Sequence, residues 1–405
     1  MIERKQYYDA ISGFINKPII KIITGIRRSG KSTFLRMLQQ HLVENGVSEN
    51  QILYINFESF RFMDIRDSRA LYKHVIDNID SKQKSYLFFD EIQIVENWEE
   101  AVNSFLVDLE TDIYVTGSNS NMLSSELSTL LTGRYVQIRM QPLVFSEFLK
   151  FHESEIKSKS IDDLLLTFIR RGGFPSIHSV DYEERDAFTL IGDIYDSIVL
   201  RDAVERFKIK NVELLDRILR FVMDNIGNTF SAKKIADYFK SQQRAVNQNT
   251  VYNYLDALES TFLINRVNRF DLHGKEILKT QEKFYLADQG IIHSILGYND
   301  RNIPGILENI VYNELIFRGY SVNIGKLKDK EIDFVASKGN QRVYLQVTYK
   351  MEIESTINRE FGPLIAIDDH YPKYVISMDN FFNDNIKGVR HMALAQFLTT
   401  DNWEK

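Results

Sequence analysis

The N-terminal third of this 405-residue sequence predicts an α/β fold, a doubly wound parallel sheet with a ligand at the carboxyl ends of its strands. Three observations predict it. Residues 18–24, PIIKIIT, form a short β-branched run that passes through a glycine-rich loop into an amphipathic helical pattern over residues 33–44. Residues 86–89, YLFF, are apolar and end in the acidic pair Asp90-Glu91. Residues 112–116, DIYVT, end in Gly117-Ser118-Asn119-Ser120, so three strand-like runs each finish on residues capable of chemistry.

The loop after the first run reads Gly25-Ile26-Arg27-Arg28-Ser29-Gly30-Lys31-Ser32-Thr33 and matches G-x-x-x-x-G-K-[ST], the P-loop. Glycines let backbone N–H groups turn inward around phosphates, and the helix N-terminus adds its partial positive charge. Lys31 is placed to reach the β- and γ-phosphates, and the Ser32 hydroxyl to bind Mg²⁺. Gly25, Arg27, Arg28, Ser29, Gly30, Lys31, Ser32 and Thr33 are the candidate nucleotide contacts. Asp90 joins Ser32 as the candidate Mg²⁺ holder, and Glu91 is the candidate group that orients and polarises the attacking water. An acidic pair could also simply cap the next helix, a reading that the P-loop weighs against.

Ser118 and Asn119 either touch the γ-phosphate or the water, or only cap the helix that follows. Residues 52–57 supply a further strand, and Asn56 or Glu58 at its end could restrain Glu91. Residues 122–131 read as a helix and 135–140 as the last strand of the sheet. Arg134 emerges between them, either toward a neighbouring subunit's phosphates or into a surface salt bridge.

With these segments in hand, the chain resembles the bacterial and archaeal AAA-related P-loop ATPases whose second half has no assigned role. The resemblance spans essentially the whole chain, and its narrower signals are Thr116-Gly117-Ser118-Asn119-Ser120 and Leu131-Thr132-Gly133-Arg134. It implies that the position of Ser118 or Asn119 senses the γ-phosphate. It also implies that Arg134 is a finger acting in trans, hence a homo-oligomer, and that ATP is the nucleotide.

The middle of the chain turns helical over residues 145–151, 161–171 and 183–201, a lid over the nucleotide. The break at Arg170-Arg171-Gly172-Gly173-Phe174-Pro175 resembles the G-x-P turn of AAA-related signal-transduction ATPases. That resemblance implies Pro175 against the base, with Arg170 or Arg171 near the phosphates; an ordinary helix-ending turn reads equally well. Residues 214–270 have helix–turn–helix spacing, with Ser231 and then Asn249 or Thr250 as caps, and residues 263–270 and 282–286 as a wing hairpin. Lys233, Lys234, Lys240 and Arg244 favour DNA, whereas Asp256 and Glu259 on the reading helix would repel phosphate. Such modules also bind proteins.

Toward the C-terminus, a helix with Glu308, a strand with Asp333 and a strand over residues 343–348 follow the layout of the PD-(D/E)XK nuclease fold, whose carboxylates bind Mg²⁺. The third element departs from it, because Gln346 replaces the carboxylate and Thr348 stands where the lysine belongs. Lys350 is two residues further on, on the same side if the strand continues. The expectation is a nuclease-like fold, inactive in cleavage, that binds nucleic acid or a partner. The domain boundaries expected are 1–142 for the ATPase core, 143–208 for the lid, 209–298 for the winged helix and 299–405 for the nuclease-like part.

Composition fits this plan. The sequence has no cysteine, which excludes disulfides, Cys-ligated metals and thiol nucleophiles and suits a cytoplasmic setting. A net charge of −6 gives no global attraction to nucleic acid, and no run is long and apolar enough for a membrane span. The function expected is a Mg²⁺-dependent ATPase that switches or drives action on DNA or a DNA-bound partner. The alternative is an ATP-gated signalling or regulatory protein acting through protein–protein contacts.

Overall fold

Short β-branched and aromatic runs joined by helix-bearing crossovers have the connections that parallel pairing requires. In the computed structural model, β1 (Ile20–Thr24), β2 (Ile52–Asn56), β3 (Ser85–Asp90), β4 (Thr111–Gly117) and β5 (Tyr135–Arg139) pair in parallel, in the order β2-β3-β4-β1-β5. The structure describes residues 2–123, 131, 133–274, 276–351, 354–380, 385–401 and 403. β1, β3 and β4 are buried at every position, which is why they read as nearly unbroken apolar runs. Ile22, Leu87, Phe89, Ile113 and Val115 from these strands pack with Leu71, Val75, Val102 and Phe105 of the crossover helices.

This strand order decides the site. β4 lies between β1 and β3, so whatever follows β4 stands between the glycine-rich loop and the acidic pair. The helix after β1 spans Lys31–Glu44, two residues earlier at its start than its apolar pattern suggests, because Gly30 caps it at φ 101°. Of the helix expected over residues 122–131, Ser120–Leu123 form a 3₁₀ turn and residues 124–130 lie outside the described residues.

The sheet belongs to the first of two compact units, Met1–Pro142 with Ser260–Phe262; the second comprises Leu143–Glu259 and Leu263–Lys405. The second unit opens on helices Phe145–Phe151, Ile161–Arg171, Pro175–His178 and Glu184–Ser197, the last running on in wider π-type turns through Ile198–Glu205. Helices Val212–Asp224, Ala232–Ser241 and Gln248–Ser260 then lead to the antiparallel pair β6 (Ile264–Asp271) and β7 (Glu276–Leu286). Ser231 caps the second of these helices through the Lys234 N–H at 3.2 Å. The third begins earlier than Asn249 or Thr250: the Asn247 side chain accepts from Asn249 N–H at 2.9 Å.

β6 also pairs in parallel with β8 (Ser321–Leu327), which continues antiparallel to β9 (Lys330–Lys338) and β10 (Gln341–Val347). β11 (Lys373–Ser377), β13 (Val389–Ala393) and β12 (Asn385–Ile386) extend one eight-stranded sheet in the order β12-β13-β11-β10-β9-β8-β6-β7. Helix Ile303–Phe317 packs against β7, β8, β9 and β10. Among the described residues, no helix is long and apolar enough to cross a membrane.

Candidate active site

The loop between β1 and its helix is shaped by residues that only this sequence order supplies. Gly25 has φ 148°, and a Cβ there would stand 2.0 Å from the Met140 carbonyl oxygen, because Met140 N–H bonds Thr24 at the end of β1. Arg28 adopts the left-handed φ of 66°, a strained choice for a side chain with a Cβ. Among the described residues, Ser29 Oγ is a buried hydroxyl with no hydrogen-bond partner. Arg4, from the N-terminal segment, donates to the Ser29 carbonyl at 3.2 Å and to the Gln141 carbonyl at 3.0 Å, tying the loop to the end of β5.

Lys31 is almost wholly buried and donates to the carbonyls of Gly25 at 3.0 Å and Ile26 at 3.1 Å. Its ammonium is 3.6 Å from Glu91 Oε1. Ser32 is half-buried in the first helical turn and Thr33 is exposed. Arg27 pairs with Glu58 at 2.7 Å, and Arg28 is exposed.

Asp90 is fully buried at the end of β3, directly across from Asn56 of β2. One carboxylate oxygen accepts from Tyr54 Oη at 2.8 Å and Asn56 Nδ2 at 3.1 Å, and the other from Thr116 Oγ1 at 2.6 Å. Three donors hold the carboxylate in one plane and leave it acceptor capacity for a hydrated cation, so Asp90 and Ser32 fit Mg²⁺ as outer partner and direct ligand. Burial, together with the Asp90 charge, pushes the Tyr54 hydroxyl up to about 12, so it stays a donor. Glu91 turns away from the strand at φ 57°, its N–H donating to Thr116 Oγ1 at 2.9 Å. Its carboxylate accepts from Gln93, which also reaches Ser118 Oγ at 3.4 Å. Burial would raise the Glu91 pKa, but the Lys31 charge, the Gln93 hydrogen bond and the Arg27 charge outweigh it and hold the carboxyl below its ordinary value. Glu91 is therefore an ionised carboxylate at neutral pH, the state a base requires.

Several expectations are sharpened or corrected. Ser118 and Asn119 are both buried beyond the end of β4, beside the start of the P-loop, since Gly117 pairs with Thr24. Asn56 donates to Asp90 and not to Glu91, and Glu58 engages Arg27; the residue that holds Glu91 is Gln93. Arg134 is exposed at the opposite end of the sheet: its carbonyl accepts from Ile20 N–H at the start of β1, and its guanidinium donates to Asn103 at 3.0 Å. A five-residue strand, roughly 17 Å long, separates it from its own P-loop, which excludes a role in cis.

Pro175 opens the short helix Pro175–His178 in the second unit. The turn before it is fixed by Asp288, fully buried, whose two oxygens accept from Gly173 N–H and, at 2.8 Å, from Gly290 N–H. Arg170 pairs with Glu184 at 3.7 Å, and Arg171 donates to the Tyr182 carbonyl at 3.1 Å, so both arginines are engaged within this unit. Burial pushes the Asp288 carboxyl up to about 7, against the pull of its two N–H donors. Between the ordinary aspartate value of about 3.9 and 7, the unfolded chain has released this proton and the folded one keeps it. Asp288 therefore lowers stability as pH rises through that window, and Asp288→Asn should flatten the slope by at most about 1.4 kcal/mol per pH unit. Denaturant midpoints of both proteins at pH 5 and 7 check this; identical slopes would refute it.

In the C-terminal sheet, β10 ends at Val347, so Lys350 is not on a strand and the alternation that would align it with Thr348 does not apply. Its ammonium lies over the Tyr349 ring at 5.6 Å. Glu308 and Asp333 do converge, but on a lysine that spacing gave no reason to suspect, Lys283 of β7.

Comparison with known proteins places these observations. The AAA domain family matches residues 17–149, and a domain of unknown function, DUF8612, matches residues 162–302. An uncharacterized protein of Haemophilus influenzae is 38% identical over 399 residues, 98% of each chain. An uncharacterized protein of Methanocaldococcus jannaschii is 34% identical over 356 residues, 84% of this chain and 77% of its own. Among solved structures, a Walker-type ATPase of Pyrococcus abyssi superposes with a TM-score of 0.51 at 14% identity, over 72% of this chain and 94% of that one, a likeness of fold. With a parallel P-loop NTPase core and an AAA domain at its N-terminal end, the chain belongs to the family of these Haemophilus and Methanocaldococcus proteins.

Proposed function

We propose that this chain is a Mg²⁺-dependent ATPase whose nucleotide cycle drives or switches action on DNA or on a DNA-bound partner. The observation that carries the reading is the convergence of Lys31, Asp90 and an ionised Glu91 at one end of the parallel sheet. Lys31 would exchange the Gly25 and Ile26 carbonyls for phosphate oxygens, and Glu91 would take a proton from a water aligned on the γ-phosphate. Ser32 and Asp90 would hold Mg²⁺, which when bound neutralises charge on the phosphates. Ser118 and Asn119, buried between loop and acid, are the proposed sensors of the γ-phosphate. The setting proposed is cytoplasmic.

Residues 1–142 form the proposed ATPase core, 143–208 a lid with Pro175 as a base contact, 209–298 a winged helix and 299–405 a nuclease-like domain. Support for the winged helix is the order of three helices and a hairpin, with Phe230 bridging to Glu282 of β7. DNA is preferred over a protein partner because Arg266 pairs with both Asp256 and Glu259 and so offsets one of the two charges that would repel phosphate. Lys233, Lys234 and Lys240 are exposed on the preceding helix. The test is duplex and single-stranded DNA binding across a salt series, with ATP turnover followed alongside. Affinity that falls steeply with salt and turnover that rises with DNA support the reading. Salt-insensitive or absent binding, with turnover unchanged, gives way to the alternative of a switch gated by protein contacts.

Arg134 is proposed to complete a neighbouring subunit's site in a homo-oligomer. Arg134→Ala should lower turnover about ten-fold or more without weakening ATP binding. Mixing Arg134→Ala with Lys31→Ala chains should restore activity, since each supplies what the other lacks. A mixture no more active than its parts would remove Arg134 from catalysis.

A further inference from the structure

Lys283 is 1% exposed, and its ammonium lies 2.9 Å from Glu308 Oε2, 3.0 Å from Glu331 Oε1 and 3.0 Å from Asp333 Oδ1. One carboxylate comes from helix Ile303–Phe317 and two from β9. The ammonium donates to Glu308 and Asp333 and lies within ion-pair distance of Glu331, so three carboxylates surround one cation. Tyr285, two residues on and on the same face of β7, donates to Glu308 Oε2 at 2.9 Å. Asp333 Oδ2 accepts from Val347 N–H at 2.9 Å, and Asp333 N–H donates to Gln346 Oε1 at 3.3 Å.

Glu308 and Asp333 are the carboxylates that the nuclease layout assigns to a divalent metal, and the residues present do not fit one. Mg²⁺ requires oxygens at about 2.1 Å in near-octahedral array. An ammonium already stands among these oxygens, the other Asp333 oxygen is taken by a backbone N–H, and the third position is a glutamine whose oxygen is in use. Among the described residues no group of three or more acids or histidines is arranged to hold a metal ion. We propose that Lys283 is a built-in cation standing in for that metal, which makes the C-terminal domain a metal-independent binding module and not a nuclease. This rests on the nuclease-like reading of residues 299–405.

The charge state agrees with the geometry. Burial works to lower the Lys283 pKa, but Asp333, Glu308 and Glu331 raise it well above its ordinary value. A lysine so held is a permanent cation and cannot serve as a general base. One positive charge replaces two, and the cluster makes up part of the difference at Glu308, whose carboxyl burial and the Asp333 charge push up to about 8. The same lysine ties the β6–β7 hairpin to the helix and strand behind it, a contact that a freely exchanging metal would leave dependent on ion concentration.

The experiment compares full-length wild type, Lys283→Ala, Asp333→Asn and the double variant, all without nucleotide. Mn²⁺ binding is followed by calorimetry, unfolding temperature is measured in Mn²⁺ and in EDTA, and cleavage is assayed on labelled DNA. Wild type should show no Mn²⁺ binding that Asp333→Asn removes, no Asp333-dependent rise in melting temperature in Mn²⁺ over EDTA, and no DNA cleavage. Lys283→Ala should melt lower in EDTA, regain stability in Mn²⁺, and lose that response when Asp333→Asn is added. If wild type binds one Mn²⁺ that Asp333→Asn abolishes, or cuts DNA with it, the stand-in role is overturned while the nuclease-like reading survives. If Lys283→Ala folds, keeps its stability and ignores Mn²⁺, both fall. Should Lys283→Ala fail to fold, the wild-type titration and the cleavage assay still decide.

Discussion

Glu91→Gln is expected to bind ATP as well as the wild type and to turn it over about 10²- to 10⁴-fold more slowly, the usual contribution of a positioned base. The substitution keeps the side chain's shape, and a glutamine oxygen still accepts from Gln93. What it removes is the negative charge and with it any proton-accepting ability. The Lys31 ammonium, 3.6 Å away, also loses its counter-charge and keeps only the Gly25 and Ile26 carbonyls to exchange for phosphate, so affinity should hold or improve. Steady-state phosphate release, paired with equilibrium binding of a fluorescent ATP analogue, measures both quantities on one preparation. A variant that loses binding together with turnover would mean that Glu91 shapes the pocket and is not the base. A variant within about three-fold of wild-type turnover would leave the base to be found elsewhere. Gln93→Ala should sit between the two, because it leaves the charge in place but releases the carboxylate from Ser118 and its neighbours.

The parts of this site that the sequence discloses are those whose chemistry demands contiguous residues. A P-loop has to be written as one run, because adjacent backbone N–H groups cradle the phosphates, and an acidic strand end has to follow an apolar strand. The supporting residues obey no such rule. Tyr54 and Asn56 are i and i+2 on β2, a visible pairing, yet only the register that sets Asn56 against Asp90 shows that they serve Asp90 and not Glu91. Thr116 reads as an ordinary strand threonine until β4 is inserted beside β3. Gln93 reaches Glu91 because Glu91 itself is left-handed, a backbone choice no residue pattern announces. Arg4 meets the loop at Ser29 and the β5 end at Gln141, and Lys283 meets Glu308 and Asp333, all across sequence separations that periodicity cannot address. Lys350 shows the converse: strand alternation stops where β10 ends at Val347, three residues before it.

Lys31→Ala is expected to abolish measurable turnover, to weaken ATP binding, and to destabilise the protein without any ligand present. A charge-assisted hydrogen bond is worth about 1.5–3 kcal/mol, so the loss of affinity should be about ten- to a hundred-fold. The stability effect follows from burial: both members of the Lys31–Glu91 pair are nearly inaccessible, and deleting one partner of such a pair commonly costs ~3–5 kcal/mol. Because Gln93 still bonds the orphaned carboxylate, the lower end of that range applies. Urea denaturation of the two single variants and of Lys31→Ala/Glu91→Gln separates the contributions, since the double variant removes the uncompensated charge and should cost less than the sum of the singles. Acid supplies an independent check. The wild-type Glu91 carboxyl is held below its ordinary value in the fold, so its contribution to stability is present above about pH 4.5 and is lost as pH falls through the depressed value. Without Lys31 the largest pull downward is gone and burial dominates, so in Lys31→Ala that acid loss should vanish or reverse sign. If the two proteins instead lose stability in parallel below pH 5, Glu91 does not depend on Lys31 for its charge. The wild-type carboxylate would then have to owe its ionised state to Gln93, Arg27 and Ser118, and the base would survive the loss of the P-loop lysine.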